Sequence, residues 1–321
     1  MWNTLGVILS FGINFIVVYP VINLTHWVLP VSVYQNYYVH EFLFFVYSAV
    51  GRMGYPQTDV NADIFMTVLL LMVTGIANGL IFPYVPVLRN INSLMRWEYR
   101  PSGEEGEKME AVKRYIEAKS GEDMSRWNLQ VSSKQEYNAY AIGYNRIIIH
   151  QPMMTAYSVP ELAGIVAHEM GHCLHGDTRA TGMIYAFSLV GQVCFFLIWI
   201  VARILGFFSF IPILGILLAF TSFIFNIYLI AWNVLMNIPV LFLQFFSRRM
   251  EFNADAHALE MNLGQELIWG LEALKVGTKD AGWKVIWMTH PNMSTRIQRL
   301  KDKLPEQYRP EFERIFGIET V

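Results

Sequence analysis

The sequence predicts a mainly α membrane protein, with about four transmembrane helices joined to a cytoplasmic domain that contains a small β-sheet. Three observations lead there. Hydrophobic residues fill 54% of the 321 positions and charged residues only 16%, too apolar a balance for an ordinary soluble chain. The excess is concentrated in windows of about 20 residues, long enough to cross ~30 Å of hydrocarbon. Outside these windows lie charged stretches with the apolar spacing of amphipathic helices, and short runs with the alternation of strands.

The four windows are Leu5 to Val28, Ile64 to Val87, Gly182 to Ile204 and Ile213 to Leu235. No Lys or Arg precedes the first and no small-residue cleavage site follows it, so a retained anchor is expected rather than a cleaved signal. A fifth apolar patch, Phe42 to Val50, is short and flanked by His40, Glu41 and Arg52, which suits an interfacial or re-entrant segment. Apart from Arg203 near an end, the windows hold essentially no charge, which speaks against a transport pathway. Arg89, Arg96 and Arg100 follow the second window and Arg248 and Arg249 the fourth. The loop between the first two holds Arg52 against Glu41, Asp59 and Asp63. Basic residues are retained on the cytoplasmic side, so the soluble parts are expected to face the cytoplasm.

This organisation divides the chain into a membrane region over 1–90, a first soluble part over 91–181, a transmembrane hairpin over 182–240 and a second soluble part over 241–321. After a linker at Arg100 to Gly106, Met109, Val112, Tyr115 and Ile116 mark an amphipathic helix. Strands are expected at Leu129 to Ser132, Asn138 to Ile142 and Arg146 to His150, with Gly143 to Asn145 turning the chain between the last two. Ser158 three positions before Glu161 fits a capping box, and Leu162, Ile165, Val166 and Met170 continue a helix from it. A further helix is expected from Leu241 to Asn262. Cys173 and Cys194 sit in apolar helical stretches and suggest no disulfide. A net charge of −2 gives no footing for nucleic acid.

Chemistry concentrates in His168-Glu169-Met170-Gly171-His172, an HExxH on the capped helix. Imidazoles at i and i+4 leave one face about 6 Å apart along the axis, so both can hold one zinc ion. Glu169 between them can take a proton from water whose pKa zinc lowers to ~7. A chance pattern on an amphipathic helix is the competing explanation. A catalytic zinc needs a third protein ligand, and Glu251 on the second helix supplies a candidate, with Asp255 one turn later placed to accept a hydrogen bond from a ligand imidazole. Read alone, Glu251 and Asp255 would be a solvated acidic face balanced by Arg248 and Arg249. His175 falls seven residues after His168, which on one helix puts it ~10 Å further along the axis and outside the ligand set.

Taken in order, these motifs resemble the HtpX-type membrane zinc endopeptidases, which share a peptidase family with the CAAX prenyl proteases. The resemblance covers His168 to His172 with Gly176-Asp177, the Ser247-Arg248-Arg249-x-Glu251 block through Asp255, the Asn138-Ala139-Tyr140-Ala141 strand, and His290-Pro291 followed by Arg296. It implies a gluzincin-type domain with zinc on His168, His172 and Glu251, and Asp255 behind the ligands. It also implies that His290 and Arg296 serve substrate or oxyanion, that residues Asn138, Ala139, Tyr140 and Ala141 bind extended polypeptide, and that the setting is a bacterial inner membrane. The expected partners are polypeptide substrates, above all misfolded or damaged membrane proteins, and the lipid bilayer. A CAAX prenyl-protein endopeptidase is the nearest alternative, although that group has more spans. A catalytically silent zinc scaffold is the other, although it would have no use for the Glu169 base.

Overall fold

The computed structural model describes residues 2–28, 31–77, 97–277 and 293–304. Arg89, Arg96, the end of the second apolar window, and His290 with Pro291 lie outside the described residues. Contacts divide the chain into two compact units, one of 1–79 with 180–242 and one of 80–179 with 243–321.

In the first unit, helix α1 (Trp2–Val28) is followed by the short α2 (Val31–Tyr34), α3 (Tyr37–Arg52) and α4 (Asp59–Ile76). Thr58 caps α4 by accepting from Asn61 N. Helix α8 (Asp177–Phe207) contributes from Ala180 onward and α9 (Leu214–Glu260) up to Phe242. Four stretches are long and apolar enough to cross a membrane: Thr4–Leu24, Asp59–Ile76, Asp177–Phe210 and Leu214–Leu235. Inside the unit Val17 and Val18 meet Leu71, Phe187, Cys194 and Trp232. A Cβ on Gly75 would come within 2.4 Å of the Phe187 ring, so only glycine allows that approach. Outward, Ile216, Phe220, Phe223 and Ile230 stay exposed, as a lipid-facing surface requires.

Two membrane expectations change. Asp63, a loop residue by hydropathy, lies within α4, fully buried, with Asn23 Nδ2 of α1 donating to it at 2.8 Å. The helix begins at Asp59 because Thr58 caps it, one turn before the apolar window opens. The fourth span and the expected helix at Leu241 to Asn262 are one 47-residue helix, α9. No glycine stands between Gly215 and Gly264 to end it. The patch at Phe42 to Val50 is the middle of α3, with Val46 and Val50 buried and Phe42, Phe44 and Phe45 exposed. Arg203 stacks over the Trp199 ring at 5.4 Å.

The second unit begins with strand β1 (Glu98–Tyr99) and helix α5 (Gly103–Ser120). Glu104 and Glu105 in the first turn and Lys119 in the last match the helix dipole, and Gly121 ends α5 at φ 73°. Met109, Val112 and Ile116 face inward at the spacing read from sequence. Strands β2 (Asn128–Ser132), β3 (Ala139–Ile142) and β4 (Arg146–His150) complete a sheet of order β1-β2-β4-β3. β3 and β4 form the expected hairpin, with Ala139 opposite Ile149, while β2 and β4 run parallel. On one sheet face Tyr140 OH donates to Glu98 at 2.8 Å and Arg146 Nε to Gln130 at 2.9 Å, and Arg146 also pairs with Glu98. This network joins all four strands and fixes their register.

The opposite sheet face offers Leu129, Val131, Ile147 and Ile149 to helix α7 (Val159–His175), which follows the short α6 (Gln151–Ala156). Each such side chain stabilises by about 1.5–3 kcal/mol when fully buried. The capping box is present: Glu161 N donates to Ser158 Oγ, and Ser158 N donates to Glu161 Oε2 at 2.6 Å. From Leu162 to Gly171 every residue of α7 is buried, because α10 (Gly264–Gly277) covers another side of it. A Cβ on Gly164 would come within 2.2 Å of Leu267 N, so the two backbones touch there. α11 (Met293–Lys303) packs on α10 through Ile297 and Leu300.

Candidate metal centre and substrate edge

Because α7 is buried from Leu162 to Gly171, His168 and Glu169 project inward rather than to solvent. His168 is 3% exposed and Glu169 5%. The rings of His168 and His172 stand 4.8 Å apart at 86°. Glu251, 4% exposed, enters from the C-terminal part of α9. Its Oε2 lies 3.4 Å from His168 Nε2 and its Oε1 lies 3.6 Å from His172 Nε2. Donors held ~2.1 Å from one ion in a tetrahedron stand about 3.4 Å apart, so these residues fit a zinc ion. All three ligand atoms lie within 4.8 Å of one another. α9 approaches this closely at Gly171, where a Cβ would come within 2.8 Å of Ala254 Cα.

Each imidazole uses its other nitrogen on a carboxylate. His168 Nδ1 lies 3.0 Å from Asp255 Oδ1, and His172 Nδ1 lies 2.9 Å from Asp177 Oδ2. Such contacts fix the tautomer and leave both Nε2 atoms facing Glu251. Helical spacing anticipates Asp255 one turn after Glu251. Asp177 enters the sequence reading only as part of a resembling motif, and its place behind His172 is an addition. The signal for it is Gly176, whose φ of 77° ends α7 and turns the chain so that the next residue folds back toward His172. Thr178 Oγ1 donates to Gly143 O at 2.7 Å, and Arg179 stacks 4.1 Å from the Tyr144 ring, anchoring that turn to the β3–β4 hairpin.

Arg296 from α11, 2% exposed, has all three nitrogens engaged. Nε and Nη2 donate to the two oxygens of Asp255 at 3.0 and 2.6 Å, and Nη1 lies 2.6 Å from Glu251 Oε2. One cation thus sits between two buried carboxylates. Burial alone lowers the pKa of His172, but hydrogen bonding to Asp177 and Glu251 outweighs it and raises the value to about 10. For His168, burial and Arg296 push down while Asp255 and Glu251 push up and prevail. Burial pushes the Asp255 carboxyl up, yet His168 and Arg296 hold it below the ordinary value. The acidic surroundings attract a cation to this site.

Of the remaining expected residues, Asn138 and Ala139 border this centre. His168, Glu169 and Arg296 border a pocket that Asn138 and Ala139 also line. β3 stands at the end of the sheet, so its outer edge meets no strand among the described residues. His150 N donates to Asn138 O at 2.9 Å, and antiparallel alternation then turns the backbone groups of Ala139 and Ala141 to the open edge. Tyr140 points its hydroxyl to Glu98 on the other sheet face. His175 is outside the ligand set, with Nδ1 2.7 Å from Gly171 O.

Residues 104–304, well over half of the chain and including His168, Glu169, His172, Asp177, Glu251, Asp255 and Arg296, match the model of peptidase family M48. The chain belongs to peptidase family M48. The M48 relatives include Protease HtpX of Nitrosococcus oceani, 27% identical over 192 residues, which cover 53% of this chain and 63% of that one. Protease HtpX of Stutzerimonas stutzeri is 26% identical over 190 residues, covering 52% and 63%. Protease HtpX homolog of Desulfotalea psychrophila is 24% identical over 204 residues, covering 53% and 66%. The matched stretch therefore spans somewhat less than two thirds of these M48 relatives.

Proposed function

We propose that the chain is an integral membrane zinc endopeptidase that hydrolyses peptide bonds in unfolded segments of membrane proteins. The observation that carries this is the meeting of His168 Nε2, His172 Nε2 and Glu251 within ligand distance of one centre, with Glu169 beside them. Zinc held there would supply a Lewis acid that polarises the scissile carbonyl and lowers the pKa of water to ~7.

Glu169 is assigned to general base, taking the proton of the attacking water and later giving it to the leaving amine. Asp255 and Asp177 hold the ligand imidazoles by their Nδ1 atoms. Arg296, with its nitrogens committed to Glu251 and Asp255, adds positive charge from behind the ligands and steadies them. His290 is assigned to the oxyanion, where removing a donor costs ~3–4 kcal/mol of transition-state stabilisation.

Backbone pairing with the open β3 edge at Ala139 and Ala141 binds a peptide without regard to most of its side chains. That tolerance suits damaged or misassembled membrane proteins of varied sequence. The relatives are named as proteases of bacteria, which supports a bacterial inner membrane, and Arg100, Arg248 and Arg249 beside the spans support a cytoplasmic active site. The four divisions of the chain are retained with that topology.

The test is cleavage of an unfolded membrane-protein substrate by the detergent-purified protein, beside a chelator-treated sample and the same sample restored with zinc. Cleavage that disappears with chelation and returns with zinc supports the proposal. Cleavage indifferent to both treatments removes the metal from it.

A further inference from the structure

Two histidines outside the zinc ligand set meet where the end of α7 passes α9. His175 closes α7, three residues after His172, and His257 stands on α9, two residues after Asp255. Their ring centres are 6.5 Å apart at 84°. The ligand pair His168 and His172 has nearly the same mutual tilt, 86°, at 4.8 Å. The two helices approach closely here, since a Cβ on Gly171 would come within 3.1 Å of His257 Cβ. Glu260, one turn further along α9, places its Oε2 3.9 Å from His257 Nδ1.

We propose that His175 and His257 form a second, weaker metal site, for zinc or a similar divalent transition ion, with Glu260 orienting His257. A bound ion clamps the end of the HExxH helix to α9, the helix that carries Glu251. The site shares no ligand with the catalytic centre, and it goes beyond the endopeptidase reading without resting on it.

Four features carry the inference. His175 Nδ1 donates to Gly171 O at 2.7 Å, which fixes the tautomer and puts the lone pair on Nε2. A histidine held through its other nitrogen by a backbone carbonyl is the ordinary arrangement of a metal ligand. His257 Nε2 is buried and makes no hydrogen bond among the described residues, so an ion there would satisfy a nitrogen that is otherwise only desolvated. Glu260 lies on the Nδ1 side of the same ring, the relation that Asp177 has to His172. Burial pushes the His257 pKa down and Glu260 offsets this only in part, so the ring is neutral at pH 7 and binds an ion without first losing a proton. Two imidazoles on one tetrahedral zinc have ring centres ~5.3 Å apart, so about 1 Å of side-chain adjustment closes this pair on an ion, with water completing the coordination.

The test dialyses the untagged, full-length, detergent-purified protein against zinc buffered across the micromolar range and counts bound zinc by elemental analysis. At saturation wild type should hold one ion per chain more than His175→Asn or His257→Gln. Glu260→Gln should weaken the additional ion by about 10-fold, the scale for a carboxylate behind a ligand imidazole. His40→Asn, at an exposed histidine of α3, should leave the count unchanged. Over the same zinc range the melting temperature should rise further in wild type than in His175→Asn, because an ion that binds only the folded chain stabilises it.

The readout is a difference between proteins, so it holds whether or not the catalytic centre is loaded, and a failure of the endopeptidase reading leaves it unchanged. His175 is exposed at a helix end, so its variant decides the question even where His257→Gln fails to fold. Equal zinc in wild type and His175→Asn at saturation would overturn the proposal.

Discussion

Asp177 Oδ2 lies 2.9 Å from His172 Nδ1, brought there by the left-handed turn at Gly176 that ends the HExxH helix. The contact predicts that Asp177→Ala weakens zinc binding by about 10- to 100-fold, the usual effect of removing a carboxylate behind a metal-ligating histidine. Competition with a fluorescent chelator measures it. An unchanged affinity would show that His172 needs no such support.

Arg296 predicts a larger effect on the fold than on chemistry. Removing its side chain leaves Glu251 and Asp255 as neighbouring buried carboxylates without a shared cation, a change that costs about 3–5 kcal/mol for a buried pair. Arg296→Ala should therefore lower the melting temperature of the detergent-purified protein. Arg296→Lys should recover part of the loss, since one ammonium cannot fork Asp255 while reaching Glu251.

Gly171 sets how near α9 comes to the HExxH helix. A Cβ 2.8 Å from Ala254 Cα must push the helices apart, and Glu251 rides on the displaced one. Gly171→Ala is expected to cost about 1–3 kcal/mol of stability as overpacking and to reduce bound zinc although every ligand is intact. Zinc content by elemental analysis, compared with an alanine substitution at the exposed Gly12, checks this.

The raised pKa of His172 gives a pH dependence with a definite sign. The folded value, about 10, exceeds the ordinary 6.5, so the folded zinc-stripped protein binds the proton more tightly than the unfolded chain. That contribution to stability is complete below about pH 6.5 and fades as pH rises toward 10. Zinc must displace this proton, so binding to the stripped protein should release protons at neutral pH. Titration calorimetry in buffers of different ionisation enthalpy measures the number released. No dependence on buffer would contradict the pairing of His172 with Asp177 and Glu251.

Much of this site is legible in the amino-acid order. His168, Glu169 and His172 are set by one helix period and Glu251 with Asp255 by another, and such spacings survive folding unchanged. The hairpin is legible because Gly143 separates two runs of strand-forming residues. The role of Asp177 is not, because it depends on a change of chain direction after Gly176, which helical periodicity does not report. The resemblance points Arg296 toward substrate, whereas its fork onto Asp255 and Glu251 depends on how α11 lies against α7 and α9, over a hundred positions apart in the case of His168. Asp63 reads as a loop residue because hydropathy marks where apolar residues start, whereas the Thr58 cap marks where the helix starts.

The most direct test of the central claim joins two readouts on one variant, Glu169→Gln, prepared beside wild type. Elemental analysis should find the same zinc content in both, near one ion per chain, while cleavage of an unfolded membrane protein is lost in the variant alone. Cleavage at the wild-type rate by a zinc-loaded Glu169→Gln protein would contradict the account, because no base would then be needed at that position.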